Sequence, residues 1–535
     1  MKKKFWDLFG KQKKKKMPAL QNIPDKLHAP LHKKVEDNVS TIKETLGNSF
    51  DIVSRSFKIG TEKPVSAALF YMEGLADKNF VQDFVLETLM LDVRETDLGQ
   101  KGSKTTDFYT ILKERAVTNG VVKEIKDFQT ALDHLLSGDT VIVLEGYAKG
   151  LSISSNGMKD RGVQEATSQT VVRGPKEGFT ETIRTNTSLI RRRIKDPNLW
   201  IETKKVGKKT KTEVAICYLK GVAQDEIIEE VRKRIDDIDI DAILESGYIE
   251  ELIQDETYTP FPTVYNTERP DTACAGILEG RIVIIVDGTP FVLIVPALFV
   301  HFFQSTEDFA QRSDIGTLMR LLRFLCFFIA LLTPSAYIAL TTFHQEMIPT
   351  QLLISLAAQR EGVPFPAVVE AFMMEITFEI LREAGTRMPR AVGSAISIVG
   401  ALVLGQAAVE AGIVSSAMVI VVSLTAISSF VSPTFNMSIS VRILRFGFMI
   451  LAGMFGLFGI IIGLIIMVLH LTSLRSFGIP YLAPMGPFIP SEQKDTLVRM
   501  PFWRMKTRPK LISQMDMERE ETQSPRPPEK EDPKN

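Results

Sequence analysis

The sequence is short of cysteine. Three residues, Cys217, Cys274 and Cys326, are spread through 535 positions. None stands at metal-ligand or redox spacing, so the three are expected to be reduced and structural. There is no CxxC, no HExxH and no GxSxG. The GKKT at Gly207–Thr210 is not a phosphate loop, because Glu202 stands where the loop needs a glycine. Histidines are few, and His301, His344 and His470 are scattered, so no metal centre is expected. No nucleophile–base pair is visible. The chain reads as neither an enzyme nor a cofactor carrier. A net charge is missing too, since Lys plus Arg and Asp plus Glu both number 64. That balance argues against a nucleic-acid partner. No apolar run follows the lysine-rich Met1–Lys16, which argues against a cleavable signal. Those lysines leave two readings open. They form a solvated tail, or they meet anionic membrane lipid beside Phe5, Trp6, Leu8 and Phe9.

What the sequence does have is four apolar runs in its second half. They are Phe324–Thr342, Ala391–Ile413, Val414–Phe435 and Phe446–Leu471. Each approaches the ~20 residues a helix needs to cross a bilayer. Between the first two lies Phe343–Arg390, dense in charge and proline. A carboxylate at the bilayer centre costs about 2.5–3.5 kcal/mol, so function is expected in this block.

The first half changes period along its length. Ala67–Leu75 and Phe80–Val93 place apolar residues at helical spacing, whereas Asp139–Leu144, Leu199–Val206 and Thr212–Leu219 read as strands. Gly280–Pro296 reads as a hairpin around Asp287-Gly288, with a span over Ile282–Phe303 as the alternative; Asp287, Pro290 and Pro296 favour the hairpin. The expected fold is an α+β soluble N-terminal region of two α/β lobes, followed by an all-α polytopic membrane domain. A basic tail covers 1–34, a mainly helical lobe 35–120 and an α/β lobe 121–279. The hairpin and connector cover 280–320. The membrane domain covers 321–490, with 343–390 as a polar membrane-associated segment. The tail, 491–535, is expected to end in disorder.

Basic residues orient the spans. Arg320 and Arg323 precede the first, and Arg387, Arg390, Arg442 and Arg445 flank the hairpin of the second and third. The chain must therefore cross back within Phe343–Met388. The fourth run then ends outside, yet Lys494, Arg499, Arg504 and Lys506 follow it. The side of the C-terminus stays open.

Three residue sets carry candidate chemistry. On a helix from Pro366, Glu375, Glu379 and Glu383 share a face with Arg382, either as an acidic path for cations or as a solvated face of an interfacial helix. In the second run, Ser394, Ser397, Ala401, Gly405, Ala408 and Gly412 form a small-residue stripe for helix packing. The opposite side presents Ile396, Val399, Val403, Gln406 and Glu410, either as a pore with a dry gate at Val403 and an acidic mouth at Glu410, or as a side facing lipid and neighbouring helices. Gly459 and Gly463 have helix-packing spacing, and no repeat of the spans argues for a secondary transporter.

Ordered motifs run through nearly the whole chain. They include the Arg161–Ile194 stretch, ERPD at Glu268–Asp271, and GRIVIIVDGTPFVLIVP at Gly280–Pro296. QREGVPFP at Gln359–Pro366, EILREAGTRMPRAVG at Glu379–Gly393 and SFGIPYLAP at Ser476–Pro484 follow. Together they resemble the GerA family of spore germination proteins, specifically the A subunit of nutrient germinant receptors; stage V sporulation protein AF looks similar. The resemblance implies a multi-pass protein of the inner spore membrane, with its large N-terminal region on the spore-core side. It implies a transporter-like B subunit and a lipoprotein C subunit as partners. It also implies a homo-oligomer, a pentamer in this family, that conducts monovalent cations when nutrient binds. A non-conducting receptor or scaffold subunit is the competing expectation.

Overall fold

The computed structural model describes residues 28–59, 65–83, 109, 113, 121–157, 165–166, 169–387, 405–513, 516–519 and 522–525. Its first half is one unit built twice. Helix α1 (Val35–Thr45) leads into β1 (Ile52–Ile59) and β2 (Val65–Met72), then β3 (Val122–Ile125), helix α2 (Phe128–Leu136), β4 (Thr140–Leu144) and β5 (Gly150–Ile153). The second unit runs α3 (Ile183–Arg193), β6 (Leu199–Val206), β7 (Thr212–Leu219), α4 (Asp225–Asp236), α5 (Ser246–Ile253), β8 (Tyr265–Thr267), α6 (Pro270–Leu278), β9 (Ile282–Val286) and β10 (Val292–Val295). The two antiparallel sheets have orders β1-β2-β4-β5-β3 and β6-β7-β9-β10-β8, which are the same order.

The match extends to register and to single bonds. Ala67 pairs with Leu144 as Val214 pairs with Val286, and Ile52 pairs with Met72 as Leu199 pairs with Leu219. The buried Asn38 closes on both backbone groups of His32, at 2.8 and 2.7 Å; Asn186 does the same to Thr180, at 2.7 and 2.6 Å. Glu145 accepts from the Val35 amide at the start of α1, and Asp287 from the Ile183 amide at the start of α3. The central strands TVIVL and IVIIV are buried throughout, which explains their unbroken apolar runs.

These sheets correct two boundaries. Among its described residues the segment 35–120 holds β1 and β2 beside α1, and the first sheet reaches Ile153, while 84–93 of the expected Phe80–Val93 helix lie outside the described residues. Every residue from Ala67 to Met72 is buried, and a strand covered on both faces has no period to read. Nor is Gly280–Pro296 a separate connector. It is a hairpin whose two strands sit inside the second sheet.

The second half is helical. Helix α7 (Ser313–Thr342) leaves the second lobe; α8 (Thr350–Arg360), α9 (Ala367–Arg387), α10 (Gly405–Glu410), α11 (Ser416–Phe430) and α12 (Phe435–Ser473) follow. Two of them, α7 and α12, are long and apolar enough to cross a membrane. At the lobe end of the bundle, Asn436 and Ser440 bond to Glu250 and to the Pro260 carbonyl, and Arg382 reaches Ser438 at 3.4 Å. At the far end, Glu370 holds Ser415, and Tyr337 approaches the same serine. Helix α9 therefore runs from the far end back to the lobes, without a continuous apolar stretch.

The fourth apolar run is not one span. Gly456 has φ +62° and breaks α12 into two arms, 435–455 and 457–473. The arms fold against each other, with Gly459 on the Leu451 carbonyl and Gly463 on the Phe448 ring. Gly456 itself lies beside Phe343 and His344 at the far end, while His470 bonds Thr259 of the second lobe at 2.8 Å. So the chain returns to the lobes, and this removes the conflict over the C-terminal basic residues. The tail beyond is not detached. Phe477, Ile479, Ala483 and Ile512 enter the core of the second lobe, and Arg519 reaches Glu279 at 2.6 Å.

A side chain at Gly456 would meet His344 and Phe343 in a left-handed conformation that β-branched residues avoid. Gly456→Val is expected to cost about 1–3 kcal/mol from the backbone alone. A detergent-solubilised variant melting with the parent would mean that the turn lies elsewhere.

Candidate functional site: buried charge in the helical bundle

The carboxylates of α9 do share a face, and that face points into the bundle. Glu375 is fully buried, and its carboxylate lies 2.9 Å from Arg445 on α12. Glu379 is held by two arginines: Arg445 at 3.0 Å and Arg442, whose Nε donates at 2.9 Å. Glu383 is largely exposed and pairs with Arg387 at 2.7 Å. Among the described residues no donor meets Glu375 Oε1 at hydrogen-bond geometry, and Arg445 Nε is likewise unmet. All three expected path residues are thus paired with arginine, Glu375 and Glu379 inside the bundle and Glu383 on its surface. The arginines were visible as orientation signals only, because nothing local in sequence links Glu375 to a residue seventy positions on.

The far end carries a second buried carboxylate, which the sequence did not single out. Glu370 Oε1 accepts from the Ser415 amide at 2.6 Å and from its hydroxyl, and Arg360 stands 3.9 Å from the other oxygen. Ser415 caps α11, so Glu370 anchors the start of that helix to α9. Just before it, Gln406 and Glu410 are exposed and bonded to each other at 2.8 Å, while Gly405 is buried against Val419. Ala408 and Gly412 are half-buried. Ser394, Ile396, Ser397, Val399, Ala401 and Val403 lie outside the described residues.

The base of α7 is a third cluster. Arg320, fully buried, contacts Asp495 at 2.8 Å and Asp308 at 3.3 Å; Arg323 contacts Asp308 at 2.7 Å. The residues read as orientation signals are therefore an internal lock between the bundle and the C-terminal segment. Beside it, burial and the Arg281 cation hold His301 well below its usual pKa, so it is neutral. No group of three or more His, Cys, Asp or Glu among the described residues is set to bind a metal ion. All three cysteines are free and buried, and burial pushes the Cys274 thiol up to about 12.

Across both the lobes and the bundle, residues 40–511 match the family model for GerA, the Bacillus/Clostridium spore germination protein. The chain belongs to the GerA family. It is 50% identical over 491 residues to spore germination protein KA of Bacillus subtilis, covering 92% of this chain and 89% of that one. It is 42% identical over 499 residues to the uncharacterised membrane protein YfkQ of the same organism, covering 93% and 95%. The crystal structure of the N-terminal domain of the A subunit of the Bacillus megaterium spore germinant receptor GerK3 is 44% identical. It covers 51% of this chain and 98% of that one, with a TM-score of 0.41.

Two predictions follow from the buried charges. Arg445→Ala strands Glu375 and should destabilise the protein by about 3–5 kcal/mol. Adding Glu375→Gln should recover part of that loss; thermal melts with no recovery would remove the pair as the cause. The second concerns Glu250, which bonds Asn266 at 3.3 Å and Asn436 at 3.4 Å where the second lobe meets α12. Burial, with Glu245 nearby, raises its pKa to about 7 from 4.5. The folded state then binds the proton more tightly than the unfolded chain. Stability is therefore expected to fall as pH rises from 4.5 to 7, and to be level above. Glu250→Gln should flatten that slope in pH-dependent melts.

Proposed function

We propose that the chain is an integral membrane subunit of a spore nutrient germinant receptor, in the inner spore membrane with its lobes on the core side. The observation that carries the membrane part is inverted polarity. Leu321, Leu325, Phe328, Ile420, Ile427, Ile443, Ile450, Phe458 and Ile465 are exposed around the bundle. Glu370, Glu375, Arg445, Ser335 and Thr425 are buried inside it. A water-soluble bundle has the reverse pattern. Arginines 320, 323, 442 and 445, with Lys494 and Arg499, all lie at the lobe end, which supports that end as the inner side.

As a subunit of such a receptor, the chain acts in this reading as an oligomeric cation channel opened by nutrient, with the transporter-like B subunit and the lipoprotein C subunit beside it. In this reading the pore is the segment that ends in Gln406 and Glu410 and carries Ile396, Val399 and Val403 earlier in its sequence. Glu375, Glu379 and Glu383 remain the acidic set of this reading, each paired with arginine, and Ser394, Ser397 and Ala401 complete the packing stripe of Gly405, Ala408 and Gly412. Pairing of Glu375 and Glu379 with arginine favours a second reading, in which α9 is a rigid post and the subunit only docks its partners.

Conductance in planar bilayers separates the two. Val403→Ala should raise cation current in the purified oligomer, and Glu410→Gln should lower it several-fold without loss of assembly. Silence from an intact oligomer carrying Val403→Ala, with its partners present, would establish the scaffold reading instead.

A further inference from the structure

The duplication of the soluble unit has a geometric consequence. Inside one chain, the first unit offers an end and the second unit a helix face. At that contact Glu73 pairs with Arg184, Gly74 packs on Ser188, and Asp51 holds Arg191 at 3.0 Å with both groups buried. The contact is head-to-tail: the end of one unit meets the α3 face of the next. Each unit also carries the other half of the pair, and among the described residues these halves do not meet each other.

These halves match residue by residue. In the first unit, the positions of Arg184, Ser188 and Arg191 on α3 are occupied by Glu36, Ser40 and Lys43 on α1; the shared Asn38 and Asn186 bonds fix this alignment. In the second unit, the positions of Glu73 and Gly74 after β2 are occupied by Lys220 and Gly221 after β7, as the common strand register requires. Gly74 and Gly221 share a left-handed φ, +88° and +89°. Gly74 is covered by Ser188, whereas nothing lies within 4 Å of the place a Cβ on Gly221 would take. Glu36 and Ser40 are exposed, and Lys220 is half-buried with Asp225 at 2.6 Å.

The charges are exchanged but still complementary. Where Glu73 faces Arg184 within the chain, the equivalent positions hold Lys220 and Glu36, again opposite in sign. By the same register Asn198, bonded to Asp196 in the loop before β6, takes the place of Asp51, and Lys43 takes the place of Arg191. We propose that the α1 face of one chain docks onto the Lys195–Asn198 and Lys220–Gly221 end of a second copy, repeating between chains the contact that joins the two units within one. Such a contact is heterologous, so it adds copies in one direction and closes into a ring when the rotation allows. The subunits of the proposed oligomer are then joined through their soluble units as well as through the bundle. This rests on the oligomer of the preceding reading but not on ion conduction.

The test uses the full chain in detergent or nanodiscs. Glu36→Cys and Lys220→Cys are placed in separate chains, co-expressed, and treated with a short bismaleimide. A cross-linked heterodimer is expected from the mixture, and none from either variant alone. The intrinsic cysteines are buried, so they give no background. Charge exchange is the second measurement. Lys220→Glu should shift the oligomer toward monomer in native mass measurement, and Glu36→Lys in the same chain should restore it. An oligomer of parental size without the cross-link, and indifferent to Lys220→Glu, overturns this interface and leaves the channel reading standing. A parent chain that is monomeric in every membrane mimetic overturns both.

Discussion

The structure depends most on the buried charge at the base of α7. Arg320 and Arg323 leave the second lobe at the point where the bundle begins, and Asp308 and Asp495 meet them there. Breaking one partner of such a set leaves an uncompensated buried charge, which costs far more than an exposed ion pair contributes. Asp495 comes from the segment after the last helix, so the cluster closes the bundle on itself. The lobe, the first helix and the C-terminal segment share one electrostatic knot. The geometry works only if the last helix returns to the side where the first began, and the break at Gly456 makes that return possible.

Above the knot the two halves of the chain follow opposite rules. The duplicated units bury apolar strands and spread their charge over the surface, which is how a sheet under water is stabilised. The helices beyond expose leucine, isoleucine and phenylalanine and bury glutamate against arginine. The two regimes meet at Phe299, Phe302 and Phe327, where one apolar cluster runs from the second sheet into the bundle. Among the described residues the buried lobe side of that cluster comes from the second unit, with the half-buried Phe50 of the first unit packed against it. The first keeps two separate cores, on the two faces of its own sheet. The units are equal in fold and unequal in task, since one is mounted on the helices and the other is free to meet something else.

Much of this was legible in the sequence, and the failures have physical causes. The apolar runs located α7, α11 and α12, and Asp287-Gly288 located a hairpin turn. The strand at Val65–Met72 was hidden because both of its faces are buried, which erases alternation. The duplication was hidden because the units share little sequence beyond a pattern: Thr130, Ala131, Gly138, Val141, Ile142 and Gly146 recur as Thr272, Ala273, Gly280, Val283, Ile284 and Gly288. That pattern was a usable signal. The hairpin in α12 had a weaker one, since glycine also packs straight helices closely, and only its φ distinguishes a turn from a contact. The partners of Glu375 and Glu379 had none, because helical spacing tells which side chains share a face and says nothing of what opposes it.

Three carboxylates of α9 divide the labour along that helix. At the lobe end Glu375 and Glu379 fix α9 to the first arm of α12, and at the far end Glu370 fixes it to the cap of α11. A helix held at both ends moves as a rod. The segment between α9 and α11 is joined to both of those anchors, so a displacement of α9 is delivered to it at its two ends. The lobes offer a handle on this rod through Glu250, whose bond to Asn436 ties the second unit to the first arm of α12. The described contacts thus form one continuous set, from Glu250 on the second unit through the first arm of α12 and along α9 to the cap of α11, and its ion pairs are shielded from water.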